Sequence, residues 1–119
     1  MNSNVVPFAI VAAVLMAVLF GMRAMGVSRM TSAQARELIA AGGTLIDVRS
    51  PTEFQSGHLP GAINIPVNQM DARIAEIPSG RPVVLYCASG MRSEAAAGKL
   101  RRAGRTEVFN LGAMSRWNE

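Results

Sequence analysis

The sequence predicts an α/β domain with a small, mainly parallel sheet flanked by helices, preceded by one transmembrane helix. Three observations carry this expectation. Across residues 27–119, short apolar runs alternate with helical segments through short loops, the pattern of a parallel sheet. Asp47 and Cys87 close two of those runs, and α/β folds gather functional groups beyond the C-terminal ends of their strands. The stretch VVPFAIVAAVLMAVLFGM, Val5 to Met22, is eighteen residues without a charge.

As a helix rising about 1.5 Å per residue, that stretch reaches roughly 27 Å, close to the hydrocarbon thickness of a bilayer. Pro7 falls in its first turn, where a missing N–H is harmless. A signal peptide would carry positive charge ahead of the apolar run. Here Met1–Asn4 has none, while Arg23 and Arg29 follow. No small-x-small cleavage site stands out either. An uncleaved anchor, residues 1–26 with its juncture, is therefore expected ahead of a domain at 27–119. A cleaved form and a buried hydrophobic helix are the rivals. The basic residues after the run place the domain on the cytoplasmic side. The one cysteine excludes an internal disulfide and fits a reducing compartment.

Past Gly26-Val27-Ser28, Thr31 or Ser32 caps a helix running to about Ala41, and Gly42-Gly43 ends it. Thr44–Val48 is a short apolar strand with Asp47 near its end. SPTEFQSG is one helical turn, with Ser50 as cap, Pro51 at the first position and Gly57 as the stop. Ala62–Ile65 is a second strand, and Asn68–Ile77 a modest helix ended by Pro78-Ser79-Gly80. Pro82–Tyr86 is continuously apolar, as in a strand buried on both faces. Ser93–Ala103 is an alanine-rich helix, Thr106–Phe109 a last strand, and Ala113–Trp117 a terminal turn. Phe54 and Trp117 are expected in the core.

The net charge is +4, from twelve Lys and Arg against eight Asp and Glu. Lys99, Arg101, Arg102 and Arg105 cluster on one helix and its end. A solvated helix face is the simpler reading, and attraction to anionic lipid the alternative. A nucleic-acid partner is not expected, because no recognised motif or interleaved aromatics accompany the charge.

CASGMRS, following the apolar strand and leading into the alanine-rich helix, carries the chemistry. Ala88, Ser89, Gly90, Met91 and Arg92 can curl so that their amides point inward, next to a helix N-terminus near Ser93. Such a nest favours negative charge. Gly90 supplies backbone freedom, Arg92 adds a cation, and a thiol at the centre has a lowered pKa. Sulfur transfer through a persulfide and phosphate-ester hydrolysis both use that arrangement. Cysteine-based phosphatases place five residues between Cys and Arg; four lie between Cys87 and Arg92, a ring better sized for one sulfur atom.

CASGMRS also resembles the C-x-x-G-x-R active-site loop of rhodanese-family sulfurtransferases. LIDVRSPTEFQSGHLPGAINIP resembles a second signature of that family, D-V-R, then E-F, then G-H-[IL]-P-G-A-x-N-[IL]-P. FNLGAMSRW resembles its closing segment, keeping one glycine where relatives usually carry two. Together the three run in order through residues 27–117, and the fold they imply is a compact single-domain, rhodanese-like one.

The resemblance implies that the Cys87 thiolate attacks the outer sulfur of thiosulfate or a similar donor, and that cyanide or a thiol accepts it. A protein acceptor is a further possibility. Ala88 to Ser93 would form the substrate-binding loop, with Arg92 orienting it. Asp47, Arg49 and His58 are expected in support: Asp47 pairing with Arg92 or local backbone, Arg49 reaching Glu53, and His58 holding a turn. No cofactor is implied, and one Cys with one His makes a metal site unexpected. A non-catalytic, membrane-tethered module that binds a partner or delivers sulfur is the alternative.

Overall fold

The computed structural model describes residues 6–24 and 30–119. Nine elements follow in order: α1 (Phe8–Ala24), α2 (Ser32–Ala40), β1 (Thr44–Asp47), α3 (Pro51–Gln55), β2 (Ile63–Asn64), α4 (Met70–Arg73), β3 (Val83–Cys87), α5 (Met91–Arg102) and β4 (Val108–Ala113). The four strands form one parallel sheet in the order β2-β1-β3-β4. From β1 the chain adds β2 on one side and then crosses to place β3 on the other. The C-terminal ends of β1 and β3 therefore flank a topological switch point, where open α/β sheets bind ligands.

Side chains leave a strand to alternate faces, and β3, buried at every position, shows both destinations. Val83, Leu85 and Cys87 enter a core with Ala96, Ala97 and Leu100 of α5 and Met70 of α4. Val84 and Tyr86 enter a second core, with Ala35 and Leu38 of α2 and Leu15 and Val18 of α1. Cys87 thus belongs to the α5 side.

The local signals work as residue chemistry dictates. Thr31 and Ser50 both close capping boxes, with Gln34 and Glu53 as reciprocal partners. The expected Asn68–Ile77 helix is broken into α4 between two 3-10 turns, Val67–Gln69 and Ile74–Glu76. The last strand begins and ends later than expected, and the closing turn is a 3-10 segment, Met114–Asn118. Trp117 packs against the second core. Phe54 does not join either core; it is half-buried and stacks on His58 with ring centroids 3.7 Å apart. The basic cluster is largely occupied within the chain. Lys99 pairs with Asp71 at 2.8 Å, Arg101 donates to the Val108 carbonyl, and Arg105 donates to the carbonyls of Ile74, Ile77 and Pro78.

The expected transmembrane helix is the main correction. Among the described residues no helix is long and apolar enough to cross a membrane. Pro7 precedes the helix, its carbonyl accepting the amides of Ile10 and Val11. That leaves α1 seventeen residues, a reach of roughly 26 Å against a core of about 30 Å. The helix packs along α2 and buries Val11, Leu15 and Val18, while Phe8, Met16 and Phe20 stay exposed. Its start is held by Arg81, whose Nη2 donates to the Val6 carbonyl at 2.9 Å. The expected boundary at residues 26 and 27, the juncture Gly26-Val27-Ser28 and the flanks Met1–Asn4 and Arg29 lie outside the described residues.

Candidate active site

The loop from β3 to α5 is built around one sulfur. α5 begins at Met91, two residues earlier than the expected Ser93, because Gly90 caps it in the left-handed region at φ +102°. Glycine fits this position on two counts. L side chains rarely adopt that φ, and a Cβ there would meet the Cα of Gly112 at 3.4 Å. The early start carries the first turn of a twelve-residue helix up to the thiol, and its dipole favours negative charge there.

Cys87 is fully buried. The Gly90 amide donates to its Sγ at 2.9 Å, and the Ser93 hydroxyl lies 3.5 Å from it while also donating to the Gly90 carbonyl at 3.1 Å. Burial is the largest single influence on the thiol and pushes its pKa up. The Ser93 hydroxyl and the amides of Ser93, Gly90 and Ser89 together outweigh it, so Cys87 titrates below an ordinary thiol. Of the expected cradle Ala88–Arg92, Gly90 aims its amide at the sulfur, and the Ser93 hydroxyl joins it. Ala88, Ser89 and Met91 are exposed around the loop.

Arg92 does not pair with Asp47. Its Nη1 and Nη2 donate to Oε1 and Oε2 of Glu53 at 2.7 and 3.0 Å, a bidentate clamp between the loop and α3. This hydrogen-bonded guanidinium is the chief reason that the Glu53 carboxyl falls to about 2, with the Ser50 cap assisting, and Glu53 in turn raises Arg92. Arg49 does not reach Glu53 either. It folds back on Asp47, with Nε 3.0 Å from both carboxylate oxygens and Nη2 2.7 Å from Oδ2. The Arg49 amide completes the pair, donating to Oδ1 at 2.9 Å, so the expected use of local backbone by Asp47 holds.

Both charges of that pair are buried. Arg49 Nη2 also donates to the Gly57 carbonyl at 2.6 Å, and its guanidinium lies 5.9 Å from the centre of the Tyr86 ring. Tyr86, one residue before Cys87, accepts from the Leu59 amide at 3.0 Å; burial raises its phenol pKa. Asn64 donates to the carbonyls of Asp47 and Arg49. His58 is exposed, with Nδ1 2.9 Å from the Phe54 carbonyl, the turn-holding role expected of it.

Tyr86 and Asn64 are framework residues that sequence reasoning missed, and Glu53, expected against Arg49, serves Arg92 instead. For Glu53 a signal existed: S-P-T-E is a capping box, which fixes Glu53 at the third helical position and leaves one carboxylate edge for a second partner. Among the described residues no group of His, Cys, Asp and Glu that could hold a metal ion occurs.

The family model described as the rhodanese-like domain matches residues 31–119. The chain belongs to that family. The human single-domain sulfurtransferase TSTD1 has a similar structure, with TM-score 0.65 and 30% identity, covering 76% of this chain and 94% of that one. Thiosulfate sulfurtransferase GlpE of Pseudomonas syringae is 31% identical over 90 residues, 75% of this chain and 85% of that one. The protein YqhL of Bacillus subtilis is 50% identical over 74 residues, 61% of this chain, which spans 59% of that relative's length. The rhodanese-like match leaves α1 outside it.

Two outcomes test this geometry. Replacing Ser93 with Ala removes a donor to the sulfur, so the midpoint of Cys87 alkylation against pH should move upward from the wild-type position. A depressed carboxyl stabilises the fold fully above its unfolded pKa and loses that contribution as pH falls through the folded value. The Glu53–Arg92 clamp should therefore weaken between pH 4.5 and about 2. Urea midpoints across that window should fall less steeply for Glu53→Gln than for wild type.

Proposed function

We propose that this chain is a sulfurtransferase that moves a sulfane sulfur from thiosulfate or a similar anion to a thiophilic acceptor through a Cys87 persulfide. The observation that carries the reading is the convergence of the Gly90 amide and the Ser93 hydroxyl on one buried sulfur at the start of α5. The Cys87 thiolate attacks the outer sulfur of thiosulfate. A new S–S bond forms, the donor S–S bond breaks, and its electron pair leaves on sulfite. An acceptor then attacks the outer sulfur of the persulfide, and the pair of that S–S bond returns to Cys87. This is a ping-pong scheme with no external base or oxidant.

Donors so oriented serve both thiolate and persulfide, since each carries one negative charge on sulfur. Arg92, half-exposed and already matched by Glu53, acts by holding the loop in register with α3 rather than as an uncompensated cation. The names of the Pseudomonas syringae and human relatives agree with this activity class, and the short Cys87–Arg92 ring argues for sulfur over a phosphoryl group.

The burial of Cys87 favours one rival, a domain that loads a persulfide and hands it to a protein without turning over free thiosulfate. Intact mass separates the two readings. After thiosulfate treatment the full chain should gain the mass of one sulfur atom and lose it on adding cyanide, with steady thiocyanate production. Cys87→Ser should remove both signals, lowering turnover on the order of a thousandfold or more. Loading without turnover would select the delivery module, and no loading would overturn both.

We also propose that the protein works at a lipid surface, with the exposed side of α1 against it. Among the described residues, Phe8, Ile10, Met16 and Phe20 of that helix are large hydrophobic side chains exposed outside the packed face. From Phe8 to Met22 α1 carries no charged or polar side chain, so that stretch lacks the polar outer face of an ordinary surface helix. The full chain should float with vesicles of neutral and anionic lipid, and Phe8→Ser with Phe20→Ser should reduce the bound fraction.

A further inference from the structure

A cavity of about 880 Å³ lies along the β4 edge of the sheet. One wall is α1, through Leu15, Leu19 and Met22, and the facing wall is β4, through Phe109 and Leu111. At one end it reaches the catalytic loop, with Ser89, Gly90 and Met91 in its lining. Gly90 is the partition between the two sites: its amide nitrogen lies 2.9 Å from the Cys87 sulfur, and its Cα side faces Gly112, another lining residue.

The volume is far beyond what a small anion such as thiosulfate needs and falls within the range of organic-ligand sites, about 300–1,000 Å³. The charges of the lining argue the same way. Glu94 and Glu107 balance Arg101 and Arg116. Arg101 already donates to the Val108 carbonyl, and Arg116 to the carbonyls of Leu111 and Met30. Nothing in this lining offers an uncompensated positive charge, whereas the interior of the Cys87 loop is built from donors. The anionic donor therefore belongs to the loop, and the cavity suits a neutral, apolar body. Its α1 wall lies outside residues 31–119, the part matched by the rhodanese-like domain, so that domain alone does not form the site.

We propose that the cavity holds the sulfur acceptor, a thiol carrying an extended apolar chain. The inference rests on the sulfurtransferase reading. The chain lies between α1 and β4, and the thiolate end approaches past Gly90. That thiolate attacks the outer sulfur of the Cys87 persulfide, the Cys87 S–S bond breaks with its electron pair returning to Cys87, and an organic persulfide leaves.

The test uses the full chain with thiosulfate as donor and three acceptors: cyanide, ethanethiol and 1-hexanethiol. The two thiols share one nucleophile and differ in buried methylenes alone. Hexanethiol should give a kcat/KM roughly tenfold or more above ethanethiol. Leu19→Trp, which fills the space, and Leu19→Gln, which makes the wall polar, should each collapse that ratio. Circular dichroism checks that each variant is folded. Equal kcat/KM for the two thiols, or a ratio indifferent to both substitutions, overturns the proposal. Absence of cyanide turnover would instead sink the sulfur-transfer reading. Binding of 1-hexanol to full-length Cys87→Ser, followed by calorimetry, reads the cavity independently of chemistry; it should be lost with Leu19→Trp, and hexanol binding that survives overturns the site.

Discussion

The buried pair of Asp47 and Arg49 is the constraint from which the site descends. Two charges removed from water must be matched almost completely by each other and by fixed dipoles. Here the carboxylate receives the Arg49 side chain and main-chain amide, and the guanidinium also reaches the Gly57 carbonyl. Removing either partner would leave an unpaired buried charge, so the turn after β1 has one low-energy geometry. That geometry fixes both ends of α3. It thereby sets Glu53 opposite Arg92, and the clamp they form holds the Cys87 loop. A framework pair thus acts on Cys87 through three intermediaries, none of which touches the sulfur.

The site lowers the pKa of its thiol without a base. Histidine, the usual partner of a catalytic cysteine, occurs once, and it is spent on the Phe54 turn. The nearby cation is matched by a carboxylate. What remains are the Gly90 amide, the Ser93 hydroxyl and the N-terminus of α5, all gathered at the helix start. Preorganised dipoles are well suited to a negative charge held on sulfur, since they need no reorganisation and give up no proton.

Helix α1 is an addition to the family domain, and it changes what the domain presents. Its inner face extends the second core, and its outer face stays apolar and uncovered. Between those faces it walls a cavity against β4. The edge strand there is guarded by arginines that occupy the carbonyls of Val108 and Leu111, which limits pairing with another strand and leaves the space to a ligand of different shape.

Much of the fold was legible because it is local. The continuous apolar run of β3, the Ser50-Pro51 helix start and the loop residues Cys87 to Ser93 each announce themselves within a few positions. The sequence by itself therefore determined the α/β class, the strand-to-helix joint and the thiol at its centre. Tertiary structure alone decided which charge meets which: Asp47 chose Arg49 over Arg92, and Arg92 chose Glu53, thirty-nine positions away. It also decided the strand order that puts β1 beside β3, and the resting place of an apolar helix that its own composition suits equally to lipid or to a protein core. Periodicity and capping report on neighbours along the chain. Charge pairing and burial depend on distances in space, which no local pattern encodes.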